Sequence, residues 1–213
     1  LKCGKFFAAT QKTVSSGEYS KEEWRDAKAS YGRFIREISE KGILALHLSY
    51  GPAPFQEHYL PAFKQWLNDN AIILTGDNYT PFYFVYAMLT GPRRTEIFGG
   101  RRVLVVHSAT GVKQQRIIER LEREGVAEVH WCSISSSRSL FDRIDISGYI
   151  GRVDIAVVGA GVGKPNILVQ LEPLQVPCID AGYVFEVWAN PENKWKRACC
   201  VSDEEYESDK IRF

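Results

Sequence analysis

The carboxyl-terminal half of the sequence alternates short apolar runs with amphipathic segments in a regular order. Apolar runs occupy residues 103–106, 126–131, 153–158 and 177–179, and their starts lie about two dozen residues apart. Strands that alternate with helices at this spacing form βαβ units, whose strands are parallel. The fully apolar run at 155–158 is typical of a strand covered on both faces. We therefore predict an α/β fold, with a Rossmann-like parallel sheet flanked by helices on both faces.

Helix patterns follow the first three of these runs. One reaches Glu124, one contains Leu140, Phe141 and Ile144, and one passes through Leu168 and Leu171. Apolar residues recur at spacings of three and four in such segments. We predict a helix at each place.

The amino-terminal half contains one strong helix signal. Ser20 and Glu23 match a capping box, and Gly42 is a typical helix stop. An apolar face runs between them at helical spacing, formed by Trp24, Ala27, Tyr31, Ile35 and Ile38. Further along, the pattern predicts a strand over 43–48, a helix over 55–67 that Pro61 kinks, and a short strand over 71–74.

A chain of 213 residues fits one domain with a sizeable core. We predict a single α/β domain over 1–213. It comprises an amino-terminal extension (1–20), an amino-terminal half (21–99), the regular half (100–190) and a carboxyl-terminal tail (191–213).

Composition excludes several classes of protein. The formal net charge is +1, from 27 Lys and Arg against 26 Asp and Glu, which argues against a nucleic-acid partner. The longest apolar run, 82–89, is far shorter than the ~18 residues that span a bilayer. Five cysteines make an odd number and no zinc spacing, so we expect free thiols, a reducing compartment and a cytoplasmic location. The chain begins with Leu, and we expect either a processed chain or part of a longer protein.

The carboxyl ends of the predicted strands are where an open α/β sheet binds its ligands. At the first of them, Ser108, Thr110 and Gly111 follow His107. We take these three as candidates for contacting a nucleotide or its phosphates. His107 is a candidate catalytic base or a candidate contact to a ligand phosphate, and the alternative is that its ring is bonded to the backbone. The two hydroxyls fit helix capping equally well.

A glycine-rich turn follows the third run. It contains Gly159, Gly161, Gly163 and Lys164. Alternating glycines before a helix let backbone amides face an anion, and Lys164 supplies a counter-charge, so we predict diphosphate binding here. The spacing matches neither the dinucleotide fingerprint nor the P-loop. The alternative is that small residues bring the helix close to the sheet.

Two carboxylates follow the fourth run. Asp180 precedes Gly182, and Glu186 lies one helical turn later. Asp180 is a candidate for binding a sugar hydroxyl, a ribose or a metal, with helix capping as the alternative, and we predict that Glu186 faces the same cleft. Either carboxylate is a candidate catalytic base. The pair Asp203 and Glu205 has a cation-binding spacing, although a solvated charge run is the plainer interpretation.

The order of motifs in the last third resembles the GT-D class of glycosyltransferase domains. The resemblance rests on residues 157–165 and 177–188, a strand and small-residue turn followed by a short strand ending in Asp180-Ala181-Gly182. It extends more weakly over 42–188, including 102–111 and 55–67. The resemblance implies a nucleotide-sugar donor as co-substrate and transfer of the sugar to a glycan or other hydroxyl acceptor.

One segment departs from that family. The class carries an Asp-x-Glu motif associated with a metal, whereas the corresponding residues here, Leu46-His47-Leu48-Ser49-Tyr50-Gly51, contain no carboxylate. The resemblance therefore gives no support for a divalent metal. Two alternatives to a divergent transferase stay open: a non-catalytic nucleotide-binding or scaffold module of a larger protein, and a dinucleotide-dependent oxidoreductase.

Overall fold

The computed structural model describes residues 19–46 and 60–196. Six strands lie in these ranges: β1 (Leu44–Leu46), β2 (Tyr79–Pro81), β3 (Arg102–His107), β4 (Glu128–Ser133), β5 (Ile155–Gly159) and β6 (Cys178–Asp180). The α-helices are α1 (Lys21–Lys41), α2 (Leu60–Asp69), α3 (Phe82–Thr90), α4 (Arg94–Phe98), α5 (Gly111–Arg123), α6 (Lys164–Gln170) and α7 (Val184–Ala189). Short 3-10 helices cover Ser147–Tyr149, Gly161–Gly163, Glu172–Leu174 and Pro191–Lys196.

The predicted α/β fold is confirmed. β3 to β6 form one parallel sheet in the order β4-β3-β5-β6, and β1 and β2 form a separate parallel pair. The three later strands lie one or two residues further along the chain than the apolar runs suggest. Parallel pairing requires crossover connections of about a dozen or more residues, which are usually helical.

Helices cover both faces of the four-stranded sheet, as predicted. Because side chains alternate along a strand, Val103, Val105 and Val157 pack on one face under α3, α4, α5 and α7. Leu104, Val106 and Val158 pack on the other face under α6 and the segment from 134 to 153. We call these the α5–α7 face and the α6 face.

A third core cluster belongs to the amino-terminal half. Helix α1 begins with the predicted capping box, in which Ser20 Oγ accepts from Glu23 N and Glu23 Oε2 accepts from Ser20 N. Its predicted apolar face is confirmed, with four of the five side chains buried and Ile38 half-buried at the edge of the cluster. These residues pack on β1 and α2, and Val162 of the glycine turn joins the same cluster.

The predicted strand at 71–74 is wrong. Ala71 N donates to Asn68 O and Ile72 N donates to Leu67 O, the paired bonds that close a helix end, and Ala71 has a positive φ of 53°. The strand that pairs with β1 comes later, at β2. Pro61 lies at the start of the described part of α2, and residues 55–59, where the predicted helix begins, lie outside the described residues.

The predicted helix around Leu140, Phe141 and Ile144 is wrong as well. Ser135 Oγ accepts from the amides of Ser137 and Arg138, and Asp142 Oδ2 accepts from Ser135 N. Such local side-chain bonds compete with helical ones. Asn166 and Gln170 of α6 then bind the carbonyl of Asp142 and hold the segment as a series of turns.

Candidate functional site

The strand order creates a switch point between β3 and β5. The chain leaves β3 toward β4 on one side, and it leaves β5 toward β6 on the other. Sheets of this kind bind ligands at the carboxyl ends of the strands, where the loops after two such strands diverge. The last residues of these strands, His107 and Gly159, are register partners.

His107 lies on the α5–α7 face and is buried. Its ring centroid is 4.6 Å from that of Phe185, and its Nδ1 accepts the amide of Ala109 at 2.8 Å. Burial lowers the pKa of His107 to about 4, and the charge of Lys113 contributes to this shift while Glu186 opposes it. The imidazole is therefore neutral at neutral pH and carries its proton on Nε2, so it is placed to donate a hydrogen bond rather than to accept a proton.

Ser108, Thr110 and Gly111 follow at the amino end of α5. Thr110 is the N-cap residue of this helix, but its side chain makes no capping bond. Thr110 and Gly111 are exposed and Ser108 is half-buried. Gly111 has a φ of 57°, and a Cβ at that position would meet open space, so backbone conformation rather than packing accounts for this glycine.

Glu186 is paired with a residue that the sequence analysis did not single out. Lys113 Nζ lies 2.5 Å from Glu186 Oε1, and both side chains are roughly half-exposed. Lys113 lies two residues after Gly111, in the first turn of α5. Its position in the sequence, close to the end of a predicted strand, could have identified it as a candidate site residue.

Packing accounts for two of the three glycines of the turn. A Cβ at Gly159 would lie 2.5 Å from Phe185 Cδ2, and one at Gly163 would lie 2.5 Å from Ser139 Oγ. Gly161 has a positive φ of 52°. Gly163 N donates to Ala160 O within the turn, so this amide is already engaged. Contacts with His107, Phe185 and Ser139 thus account for the small residues at positions 159 and 163, and diphosphate binding stays a prediction.

Lys164 and Asp180 form an ion pair on the α6 face. Lys164 Nζ contacts Asp180 Oδ2, and about a quarter of each side chain is exposed. The second carboxylate oxygen, Asp180 Oδ1, is buried and has no hydrogen-bond partner within the described part of the chain. A buried carboxylate oxygen without a donor is costly in free energy, and such oxygens are rare in folded proteins.

The predicted site residues thus fall into two groups on opposite faces of the sheet. His107 and the Lys113–Glu186 pair lie on the α5–α7 face. Asp180 points to the α6 face, as do Cys178, two residues earlier on β6, and Val158, the register partner of Asp180. The sequence analysis predicted one cluster of charges at one edge. The edge is shared, but the sheet separates the two groups.

A large cavity adjoins the Lys164–Asp180 pair. Its volume is ≈ 810 Å³, within the range of roughly 300–1,000 Å³ that is common for small-molecule sites. Most of the lining is apolar and comes from α1, β1, α3, α6 and β6. The contribution from α3, including Phe84 and Met88, was not predicted, because the apolar run at 82–89 was considered only as a membrane span.

Two of the sequence candidates lie outside the described residues. These are the acidic tail with Asp203 and Glu205, and residues 47–51, where the GT-D class carries its acidic motif. Within residues 19–46 and 60–196, no group of three or more His, Cys, Asp or Glu side chains has a metal-binding arrangement. No helix in these ranges combines the length and apolarity needed to cross a membrane.

Comparisons of the chain with protein-family models, with curated proteins and with solved structures find no match.

Proposed function

We propose that this chain is a glycosyltransferase domain that transfers a sugar from a nucleotide-activated donor to a hydroxyl acceptor. The observation that carries the proposal is Asp180, which ends β6 and lines a large cavity that runs along this edge strand. One of its carboxylate oxygens is held by Lys164, and the other is buried without a partner. The order of motifs around Asp180, which resembles the GT-D class, supplies the reaction type.

Asp180 and Lys164 would divide the chemistry between them. In the transfer, the acceptor oxygen bonds to the anomeric carbon, the bond from that carbon to the diphosphate breaks, and its electron pair leaves with the nucleoside diphosphate. The proton of the acceptor hydroxyl passes to the carboxylate of Asp180 as general base. The ammonium of Lys164 stabilises the charge that grows on the diphosphate.

The α5–α7 face would contribute to binding rather than to proton transfer. His107 is neutral and carries its proton on Nε2, which favours the predicted contact with a phosphate of the donor substrate over the role of base. Ser108 and Thr110 would offer hydroxyls at the same strand end. Glu186 and Asp180 are each paired with a lysine, but only Asp180 has a buried carboxylate oxygen without a hydrogen-bond partner, so Asp180 is the better candidate base.

A panel of nucleotide sugars tests the proposal. Purified protein is mixed with each donor, and release of nucleoside diphosphate and the shift in melting temperature are measured. We expect at least one donor to be hydrolysed and to stabilise the protein, with both effects weakened in Asp180→Asn. Glu96→Gln is a matched control, because Glu96 is an exposed surface partner of Arg93. If no donor is hydrolysed or stabilises the protein, the proposal is wrong.

A non-catalytic nucleotide-binding module is the second candidate. The specific observation in its favour is the absence of a carboxylate from Leu46-His47-Leu48-Ser49-Tyr50-Gly51. Saturable stabilisation by a nucleotide sugar without release of nucleoside diphosphate would favour this module. Including NAD and NADP in the panel tests the oxidoreductase alternative, which tight binding of either dinucleotide would favour.

A further inference from the structure

Three apolar core clusters meet at the cavity beside Asp180. Ile35 and Leu46 belong to the cluster of the amino-terminal half, Leu168 to that of the α6 face, and Met88 to that of the α5–α7 face. Protein interiors are close-packed. A space of ≈ 810 Å³ at the junction of three cores therefore has the form of a binding site rather than of a packing defect.

The charged groups that line the cavity lie near the two ends of α6. Lys164 begins this helix and pairs with Asp180, whereas Glu172 follows its last turn and pairs with Lys41 at 2.6 Å. Glu37 of α1 joins this second group through its ion pair with Lys41 at 3.3 Å. Glu172 lies eight positions after Lys164. At a helical rise of about 1.5 Å per residue, the two residues are about 12 Å apart along the helix axis. Between the two pairs, Leu168 and Val169 of α6 line the cavity, with Phe84 and Met88 of α3.

The two ends differ in their contact with water. About half of the Lys41 and Glu172 side chains is exposed, whereas about a quarter of the Lys164 and Asp180 side chains is exposed. The Lys41–Glu172 pair is thus a solvated rim. The Lys164–Asp180 pair is the more enclosed end and the one with an unpartnered acceptor, Asp180 Oδ1.

We propose that the cavity binds an amphiphile, a single apolar chain that bears a hydroxyl group, with the hydroxyl at Asp180 and the chain along α6. This inference rests on the proposed function and names its acceptor class: a hydroxyl carried on an apolar chain. The hydroxyl donates to the carboxylate of Asp180, and the chain removes from water the apolar side chains between the two ion pairs. A peptide occupant would set backbone amides against Leu168, Val169 and Phe84, which offer them no hydrogen bonds.

Cys178 offers a direct readout of occupancy. It lines the cavity and is half-buried, whereas Cys132 is buried on β4 and does not line it. N-ethylmaleimide is added to the intact protein with and without dodecan-1-ol. Mass spectrometry of the peptide that contains Cys178 and of the peptide that contains Cys132 gives the rate of alkylation at each of these two thiols. Octan-1-ol and a serine-containing apolar hexapeptide are run in parallel.

We expect dodecan-1-ol to protect Cys178 and to leave the rate at Cys132 unchanged. At a concentration ten times its Kd, alkylation of Cys178 should slow about tenfold. Octan-1-ol should bind more weakly, by about fourfold for each methylene that it lacks. No protection by dodecan-1-ol, equal protection of both cysteines, or protection by the hexapeptide alone would overturn the proposal.

A pair of variants ties the protection to the cavity. Val169→Arg places a long charged side chain in the apolar stretch and should abolish protection of Cys178. Val112→Arg is the matched control, because Val112 is 69% exposed and lies outside the cavity, and it should leave protection unchanged. If Val169→Arg does not fold, the effect of dodecan-1-ol on the alkylation rates of Cys178 and Cys132 in the unaltered protein still tests whether the cavity binds the alcohol.

The outcome is separable from that of the proposed function. The protection assay contains no nucleotide sugar, so it reports the cavity alone. Turnover of a nucleotide sugar with a short soluble acceptor but no protection of Cys178 would overturn the amphiphile and leave the transferase standing. Protection of Cys178 by dodecan-1-ol, together with no hydrolysis of any nucleotide sugar and no stabilisation by one, would overturn the transferase and leave the amphiphile site standing.

Discussion

The imidazole of His107 lies over Gly159, its register partner on the neighbouring strand, and occupies space into which a side chain at position 159 would project. Phe185 closes the same space from α7, since a Cβ at Gly159 would lie 2.5 Å from Phe185 Cδ2. Gly159 is therefore required by packing. The position where a phosphate-binding turn would begin is fixed by two buried rings.

Replacing Gly159 by Ala should destabilise the protein. The added methyl group must displace His107 and Phe185, both buried, and overpacking of this kind costs about 1–3 kcal/mol. Urea unfolding measures the change in the free energy of unfolding. Gly148→Ala is the control, because a Cβ there meets no atom within 4 Å; equal stability of the two variants would contradict the packing argument.

The burial of His107 predicts a pH dependence of stability. Its pKa is lowered from 6.5 to about 4. As the pH falls from 6.5 to about 4, His107 becomes protonated in the unfolded chain but stays neutral in the folded protein. The free energy of unfolding therefore falls over this range, by about 3 kcal/mol in all. His107→Asn keeps an acceptor for the Ala109 amide and cannot titrate, so its stability should change less over this window.

Asp154 titrates in a different window and serves as the internal reference. Hydrogen bonds from Arg102 lower the pKa of Asp154 from 3.8 to about 2. Its contribution is lost below pH 3.8 in both proteins, so it cancels when the two profiles are subtracted. If the profiles of the two proteins coincide between pH 6.5 and 4, His107 is not the group responsible.

The two faces of the sheet should respond differently in an activity assay. With a donor substrate in hand, Asp180→Asn should lower the transfer rate by about 10²–10⁴-fold, the usual contribution of a general base. Glu186→Gln should have a much smaller effect, because Glu186 lies on the opposite face of the sheet and does not line the cavity beside Asp180. The reverse order of effects would assign the chemistry to the α5–α7 face.

A buried ion pair links α4 to the end of α5. Arg94 Nε lies 2.7 Å from Glu124 Oε1, and each side chain is 9% exposed. Glu124→Ala would leave a buried guanidinium without its carboxylate, so we expect a loss of about 3–5 kcal/mol in the free energy of unfolding. Thermal or urea unfolding measures it.

Glu96→Ala is the matched control for this ion pair. Glu96 is paired with Arg93, both side chains are more than half exposed, and surface pairs contribute about 0–1 kcal/mol. A loss at Glu124 no larger than that at Glu96 would contradict the importance of burial.

The predictions that held concern local patterns. The capping box at Ser20, the apolar face of α1 and the alternation of β3 to β6 with helices each depend on residues close together in the sequence. The predictions that failed concern segments in which other contacts compete. Ser135 and Asp142 bind nearby amides in place of the predicted helix, and Ala71 ends α2 where a strand was predicted.

The sequence by itself determined the fold class and the position of the candidate residues at the ends of strands, because period and capping are properties of a few consecutive residues. Only the tertiary structure decided which of them share a face. The side of the sheet on which Asp180 or His107 lies depends on the start and register of each strand, and a shift of one residue reverses it. The cavity is likewise a property of several elements, far apart in the sequence, that pack together, and no single segment encodes it.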